Sequence, residues 1–123
     1  MSRRGHVLVV DDDPGIQHLL KLALEGEGHE VRIAEHGAKA LELLSSWVPG
    51  LILLDLHMPD MDGWTFRERQ LAMDRAAHIP LVVVAHHDRL KGDLQALKAD
   101  AIFPKPFSIV ALLATTQALL SRR

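Results

Sequence analysis

The sequence has no cysteine, which excludes a disulfide scaffold, a thiolate zinc site and a cysteine nucleophile together. Charge of one sign is missing too: 14 Lys and Arg against 16 Asp and Glu leave −2, a balance that does not favour direct nucleic-acid binding. No apolar run approaches the roughly 20 residues of a membrane helix. Val7 to Val10 covers four residues, Leu51 to Leu54 four, and Leu81 to Ala85 five. The first run follows Ser2, Arg3 and Arg4 but is too short for the apolar centre of a signal peptide. The chain is therefore read as soluble and cytoplasmic, without a membrane partner. Internal repeats, linkers and low-complexity segments are absent. No G-x-G-x-x-G follows the first apolar run, and the acids that stand there would repel a pyrophosphate, which argues against a dinucleotide site.

The remaining composition is that of a globular protein: 123 residues, 48% hydrophobic and 24% charged, read as one domain over residues 1–123 with a real core. Short β-rich runs alternate with longer segments of helical periodicity, the pattern of βα units around a parallel sheet. Strands are expected at His6 to Asp11, Glu30 to Ala34, Leu51 to Asp55, Leu81 to Ala85 and Ala101 to Phe103. A first helix is expected from Pro14 to Glu27, with Ile16, Leu19, Leu20 and Leu24 on one face and Gly28 as its stop. A second covers Ala38 to Trp47, a third begins near Gly63, and the spacing of Leu90, Leu94 and Leu97 predicts a fourth. The fifth, Ile109 to Leu120, follows a Ser108 cap and sets Leu112, Leu113, Thr116, Leu119 and Leu120 at core spacing. Five such units favour the α/β flavodoxin-like (βα)5 doubly wound parallel sheet with strand order 2-1-3-4-5, and Pro104 suits the fifth strand to an edge.

Ligands of such a sheet sit beyond the carboxyl ends of its strands. Those ends hold Asp11, Asp12 and Asp13 after the first strand, Asp55 after the third, Ala85 and His86 after the fourth, and Lys105 after the fifth. Asp13 before Pro14 is a good helix start and needs no further role. Asp11 and Asp12 are left unexplained by that cap, the alternative being solvated turn residues after the strand, and Asp55 has no turn duty, because Asp60, Asp62 and Gly63 already supply the turn chemistry near it. Two carboxylates about 4 Å apart repel by roughly 4 kcal/mol at an effective dielectric near 20, so the cluster calls for a cation. A few hard oxygen ligands with open positions left over suit Mg²⁺.

Three segments carry a resemblance. V-L-V-V-D-D-D-P (Val7 to Pro14), L-I-L-L-D-L-H-M-P-D-M-D-G (Leu51 to Gly63) and P-K-P-F (Pro104 to Phe107) resemble the receiver domain of two-component response regulators, over essentially the whole chain. The resemblance implies Asp55 as phosphoacceptor, Asp11 and Asp12 as the acidic pair around Mg²⁺, and Lys105 as the lysine that pairs with the phosphoryl group. It makes His57 the residue whose backbone carbonyl binds the metal, and it suggests a cis bond between Lys105 and Pro106. The implied partners are a histidine kinase or phosphotransfer protein upstream and a downstream protein or output domain, with a homodimer also admitted. The chain would promote only its own phosphorylation and dephosphorylation, and is not otherwise an enzyme. A phosphohydrolase with an aspartyl intermediate fits less well, since such enzymes resemble D-x-D and His57 fills the second position here.

Two positions depart from the family pattern. The Ser or Thr usual at the end of the fourth strand matches Ala85, and the aromatic residue usual in the fifth matches Ile102. A hydrogen bond to a charged group is worth roughly 1.5–3 kcal/mol, comparable with a whole allosteric coupling. The expected consequence is chemistry at Asp55 with a weakened or rerouted switch, and the alternative is a receiver-like interaction module acting without phosphorylation. Of the eight histidines, His86 and His87 are expected in solvent, and His57 and His87 match the positions that tune access of water to the phosphoryl group in the family. Trp64 is expected as a partly exposed residue of the third helix. No output segment is visible after the fifth helix.

Overall fold

The computed structural model describes residues 5–90 and 92–122; Ser2 to Arg4 and Arg123 lie outside the described residues. Five strands, β1 (His6–Val10), β2 (Glu30–Ala34), β3 (Leu51–Leu54), β4 (Leu81–His86) and β5 (Ala101–Lys105), form one parallel sheet in the order β2-β1-β3-β4-β5. Helices α1 (Pro14–Gly26), α2 (Gly37–Leu44), α3 (Gly63–Leu71) and α4 (Ile109–Ser121) cover its two faces. The apolar runs are continuous because both faces are buried. Leu8, Val10, Ile52, Leu54, Val83 and Ala85 pack toward α2 and α3, while Val7, Val9, Leu51, Leu53, Val82 and Val84 pack toward α1 and α4. Each such leucine or valine contributes about 1.5–3 kcal/mol on burial, so the sheet centre is the rigid part on which a site can be hung.

Local chemistry sets the element ends. Asp13 caps α1, its carboxylate accepting from the N–H of Gly15 at 2.8 Å, with Pro14 in the first turn. At the other end Gly28 takes φ +93°, and the N–H groups of Gly28 and His29 close on the carbonyls of Glu25 and Leu24. Ser108 caps α4 through the N–H of Ala111 at 3.1 Å. Strand and helix boundaries differ from expectation by a few residues: β1 and β3 stop one residue earlier, β4 and β5 run on to His86 and Lys105, and α2 ends at Leu44. Leu19, expected on the core face of α1, is exposed, whereas Leu20 and Leu24 are buried. Among the described residues no helix is long and apolar enough to cross a membrane.

The expected fourth helix is the main departure. Two short 3-10 turns, His87–Arg89 and Leu94–Leu97, stand where it was expected. Gly92 at φ +90° and Lys98 at φ +51° are both left-handed, which leaves too few residues between them for an α-helix. The leucine spacing is still used for packing, since Leu97 is buried and Leu90 and Leu94 lie against the α2 and α3 side of the core.

Side chains of α3 replace the missing helical hydrogen bonds. The Trp64 Nε1 donates to the carbonyl of Asp93 at 2.8 Å. The buried Arg67 guanidinium donates to the carbonyls of Leu97 at 2.8 Å and Lys98 at 2.9 Å and to Gln70 Oε1 at 2.8 Å. Gln70 in turn donates to the carbonyls of Ala76 and Ile79. Removing a donor from buried acceptors costs about 1–3 kcal/mol for each one left unpaired. Arg67→Met is accordingly expected to lower stability by about 2–4 kcal/mol in urea denaturation. A variant as stable as the native protein would show that the 94–98 segment holds itself.

Candidate functional site

The carboxyl edge of the sheet gathers the residues that sequence reasoning assigned there. Val10 and Leu54 are neighbours in register, so the residues that follow them, Asp11 and Asp55, leave the sheet side by side. Their backbones are tied in: Asp55 N–H donates to the carbonyl of Val10 at 2.9 Å, and Asp11 N–H to that of Ala34 at 3.1 Å. Carboxylate oxygens of Asp11, Asp12 and Asp55 all lie within 4.8 Å of one another. Asp11 and Asp55 are buried and Asp12 is exposed, so the cluster opens to solvent on one side.

Lys105 ends β5 opposite His86 and reaches across to Asp11, Nζ to Oδ2 at 3.0 Å, with both residues buried. The Lys105–Pro106 bond is cis, as the resemblance suggested. Asp11 is held on two more sides, its Oδ1 accepting from Asp13 N–H at 2.9 Å and its carbonyl from Gln17 Nε2 at 2.6 Å. The N–H of His57 donates to Asp55 Oδ1 at 3.4 Å.

The electrostatics are those of a site short of positive charge. Burial pushes the Asp11 carboxyl above its ordinary range, against the pull of the Asp13 N–H and Lys105. Burial also raises Asp55, and the Asp11 charge adds to it, with Lys105 countering only in part. One ammonium faces three acids, and the donor set is all oxygen with few ligands and an open side. That chemistry fits a small hard divalent cation whose other ligands are water or phosphate oxygen.

The family model for the response regulator receiver domain matches residues 7–117. The chain belongs to that family. Among curated relatives it is 36% identical over 118 residues to the DNA-binding dual master transcriptional regulator RpaA of Synechocystis, covering 94% of this chain and 49% of RpaA. It is 35% identical to the DNA-binding transcriptional regulator NtrC of Escherichia coli, covering 97% of this chain and 25% of NtrC. The chain thus spans about half the length of the first relative and a quarter of the second. Similar solved structures include the response regulator TrrA of Thermotoga maritima in complex with Mg(2+)-BeF, at TM-score 0.81 and 30% identity, covering 93% of this chain and 97% of that one. The signal receiver domain of a histidine kinase from Syntrophus aciditrophicus gives 0.82 and 28%, covering 95% and 90%.

Within this receiver domain the two departing positions are now placed. Ala85 is fully buried near the end of β4 and brings no hydroxyl. Ile102 pairs with Val83 in register and is 36% exposed; among the described residues between β4 and β5 only the two 3-10 turns are helical. His86 and His87 are exposed; His57 is half-buried, and its Nδ1 is buried without a hydrogen-bond partner. Two side chains near the site make contacts that the sequence did not announce. Gln17, on the first turn of α1, fastens the Asp11 backbone, and Asp60, taken there for turn chemistry alone, reaches α2.

Proposed function

We propose that the chain is a phosphoryl-accepting receiver, which takes a phosphoryl group onto Asp55 from the phosphohistidine of a histidine kinase or phosphotransfer protein and signals through altered protein contacts. The observation that carries this reading is the convergence of Asp11, Asp12 and Asp55 within 4.8 Å of one another with Lys105 paired to Asp11. Asp11, Asp12, the Asp55 carboxylate and the His57 carbonyl would hold Mg²⁺, which supplies positive charge for the phosphoryl oxygens. The Thermotoga neighbour, solved with Mg(2+)-BeF, supports the same assignment.

In the step itself an oxygen of Asp55 attacks phosphorus and the phosphorus–nitrogen bond of the donor breaks, its electron pair returning to the imidazole. The raised Asp55 carboxyl is suited to this, because a carboxylate partly withdrawn from water is a better nucleophile than a fully solvated one. Lys105 Nζ holds Asp11 in the resting state and turns to the phosphoryl oxygens as charge builds on them. The substrate is the chain's own side chain, so no turnover of a free metabolite is involved.

The test is incubation with Mg²⁺ and acetyl phosphate, read by intact mass, with Asp55→Asn as control. A gain of one phosphoryl group in the native chain alone supports the reading. A native chain that stays unmodified favours the second reading, an interaction module that works without phosphorylation, to which the buried Ala85 and the exposed Ile102 point. A further expected outcome concerns the switch. With a beryllofluoride mimic bound, amides of β5 and of the 94–98 segment shift by less than half of what they shift in an Ala85→Thr, Ile102→Tyr variant; equal shifts in both would show that neither residue limits the response.

A further inference from the structure

The loop from Asp55 to Gly63 carries the nucleophile at one end and His57 two residues on, so the metal and phosphoryl site depends on its shape. Its ends are fixed by β3 and α3: Gly63 N–H donates to the carbonyl of Leu56 at 2.8 Å, and His57 pairs with Asp62 in a single antiparallel bridge. A Cβ on Gly63 would come within 2.4 Å of Leu56 Cδ2 and 3.1 Å of its Cα, so the loop closes tightly there. The middle of the loop is held from outside.

Asp60 leaves the loop for the amino terminus of α2, Oδ1 accepting from Gly37 N–H at 3.1 Å and Oδ2 from Ala38 N–H at 2.8 Å. The cap that α2 supplies for itself, His36 Nδ1, takes only the Lys39 N–H, at 3.2 Å. Two of the N–H groups that every helix start leaves unpaired are thus met by a residue 23 positions from Gly37 and 22 from Ala38. Beside this contact the Met61 side chain lies over Gly37, where a Cβ would meet Met61 Cγ at 2.5 Å and Sδ at 2.8 Å. Slight burial works to raise the Asp60 carboxyl, yet the N–H groups of Ala38, Gly37 and Asp60 itself, with His36 Nδ1 at 3.5 Å from Oδ2, together hold it below the ordinary aspartate range. The contact is therefore one that favours the ionised, fully bonded form.

We propose that Asp60 is a positioning residue for the metal and phosphoryl site, fixing the loop that carries His57 by anchoring it to the start of α2. The proposal rests on Asp55 being a Mg²⁺-dependent phosphoacceptor. An ordinary cap would stabilise α2 and do nothing else. A positioning tie also sets how well the loop backbone meets a cation, because outer contacts that orient ligands govern metal affinity.

The experiment compares the native protein with Asp60→Ala and Asp60→Asn by calorimetric Mg²⁺ titration, below the melting temperature of each, and by the amide resonances of His57 and Met58 without metal. Asp60→Ala is expected to weaken Mg²⁺ binding about tenfold, the low end of what outer contacts to a metal site command. Asp60→Asn, which keeps an acceptor oxygen, is expected to recover most of that loss. The His57 and Met58 amides are expected to shift in the alanine variant and to return toward native positions in the asparagine variant. Native affinity and unmoved amides in Asp60→Ala, even with a lower melting temperature, would overturn the proposal and leave a cap only. Equal weakening in both variants would also overturn it, assigning the effect to charge. If the native protein takes up no Mg²⁺, the functional reading falls, and the amide shifts alone decide whether Asp60 holds the loop.

Discussion

Asp55→Asn is expected to abolish the phosphoryl mass gain and, without metal, to make the fold more stable by about 1–2 kcal/mol. Both expected effects come from removing one buried carboxylate. Burial raises the Asp55 carboxyl above its ordinary 3.8, the Asp11 charge raises it further, and Lys105 is already engaged with Asp11. The folded protein therefore keeps a proton on Asp55 to a higher pH than the unfolded chain does. Between the unfolded and folded values the native state binds more protons, so stability falls as pH rises through that window and stays low above it. Asparagine carries no charge and removes that part of the fall, leaving Asp11, raised for similar reasons, as the remainder.

The measurement is urea denaturation at pH 5 and pH 7.5, with and without Mg²⁺. In the native protein, metal at about 100 times its dissociation constant returns roughly 2.7 kcal/mol. That gain is expected to be larger at pH 7.5 than at pH 5, where protons compete for the acids, and to shrink in the asparagine variant. An Asp55→Asn protein less stable than the native one in metal-free buffer would mean that Asp55 is satisfied by neighbours, and the claim of a charge-starved site would fail.

Strand positions and the acid cluster were legible in the sequence for the same reason. A parallel sheet buried on both faces needs unbroken apolar runs, and Val7 to Val10, Leu51 to Leu54 and Leu81 to Ala85 stand out as such; the first polar residue after each run must then emerge at one edge. Asp11 and Asp55 follow from that alone, whereas Lys105 follows a short, half-exposed edge strand and was placed by the strand expected at Ala101 to Phe103. Contacts that cross between elements were not legible. Arg67 and Gln70 are buried in α3 because their partners are carbonyls elsewhere, with Leu97 30 residues from Arg67, and no local period announces such a pairing. Leu90, Leu94 and Leu97 kept the spacing of a helix while Gly92 and Lys98 took left-handed conformations, so periodicity reported which residues face the core and not what backbone carries them. Asp60 sat in a string of turn-forming residues where one more aspartate carried no distinguishing signal.

Lys105→Met is expected to act with the opposite sign on stability and the same sign on chemistry. The ammonium and Asp11 Oδ2 are 3.0 Å apart and both residues are buried, so methionine fills similar space but leaves a carboxylate without its counter-charge. Breaking such a pair costs about 3–5 kcal/mol when the remaining charge stays ionised, and proton uptake by Asp11 brings the expected loss toward about 3 kcal/mol. Phosphorylation of Asp55 from acetyl phosphate is expected to slow about 100-fold, the lower bound for removing one group that meets charge developing on the transferred oxygens. Saturating Mg²⁺ separates the two effects. It is expected to neutralise Asp11 and restore much of the stability, but not to stand where Lys105 would meet the phosphoryl group, so the rate is expected to stay low. Combining Lys105→Met with Asp55→Asn should give a loss smaller than the two single effects summed, by about 1 kcal/mol, because each substitution alters the charge that the other feels. A Lys105→Met protein that is destabilised yet phosphorylated at the native rate would confine the lysine to a structural partnership with Asp11, and the second positive pole for the phosphoryl group would have to be sought elsewhere in the chain.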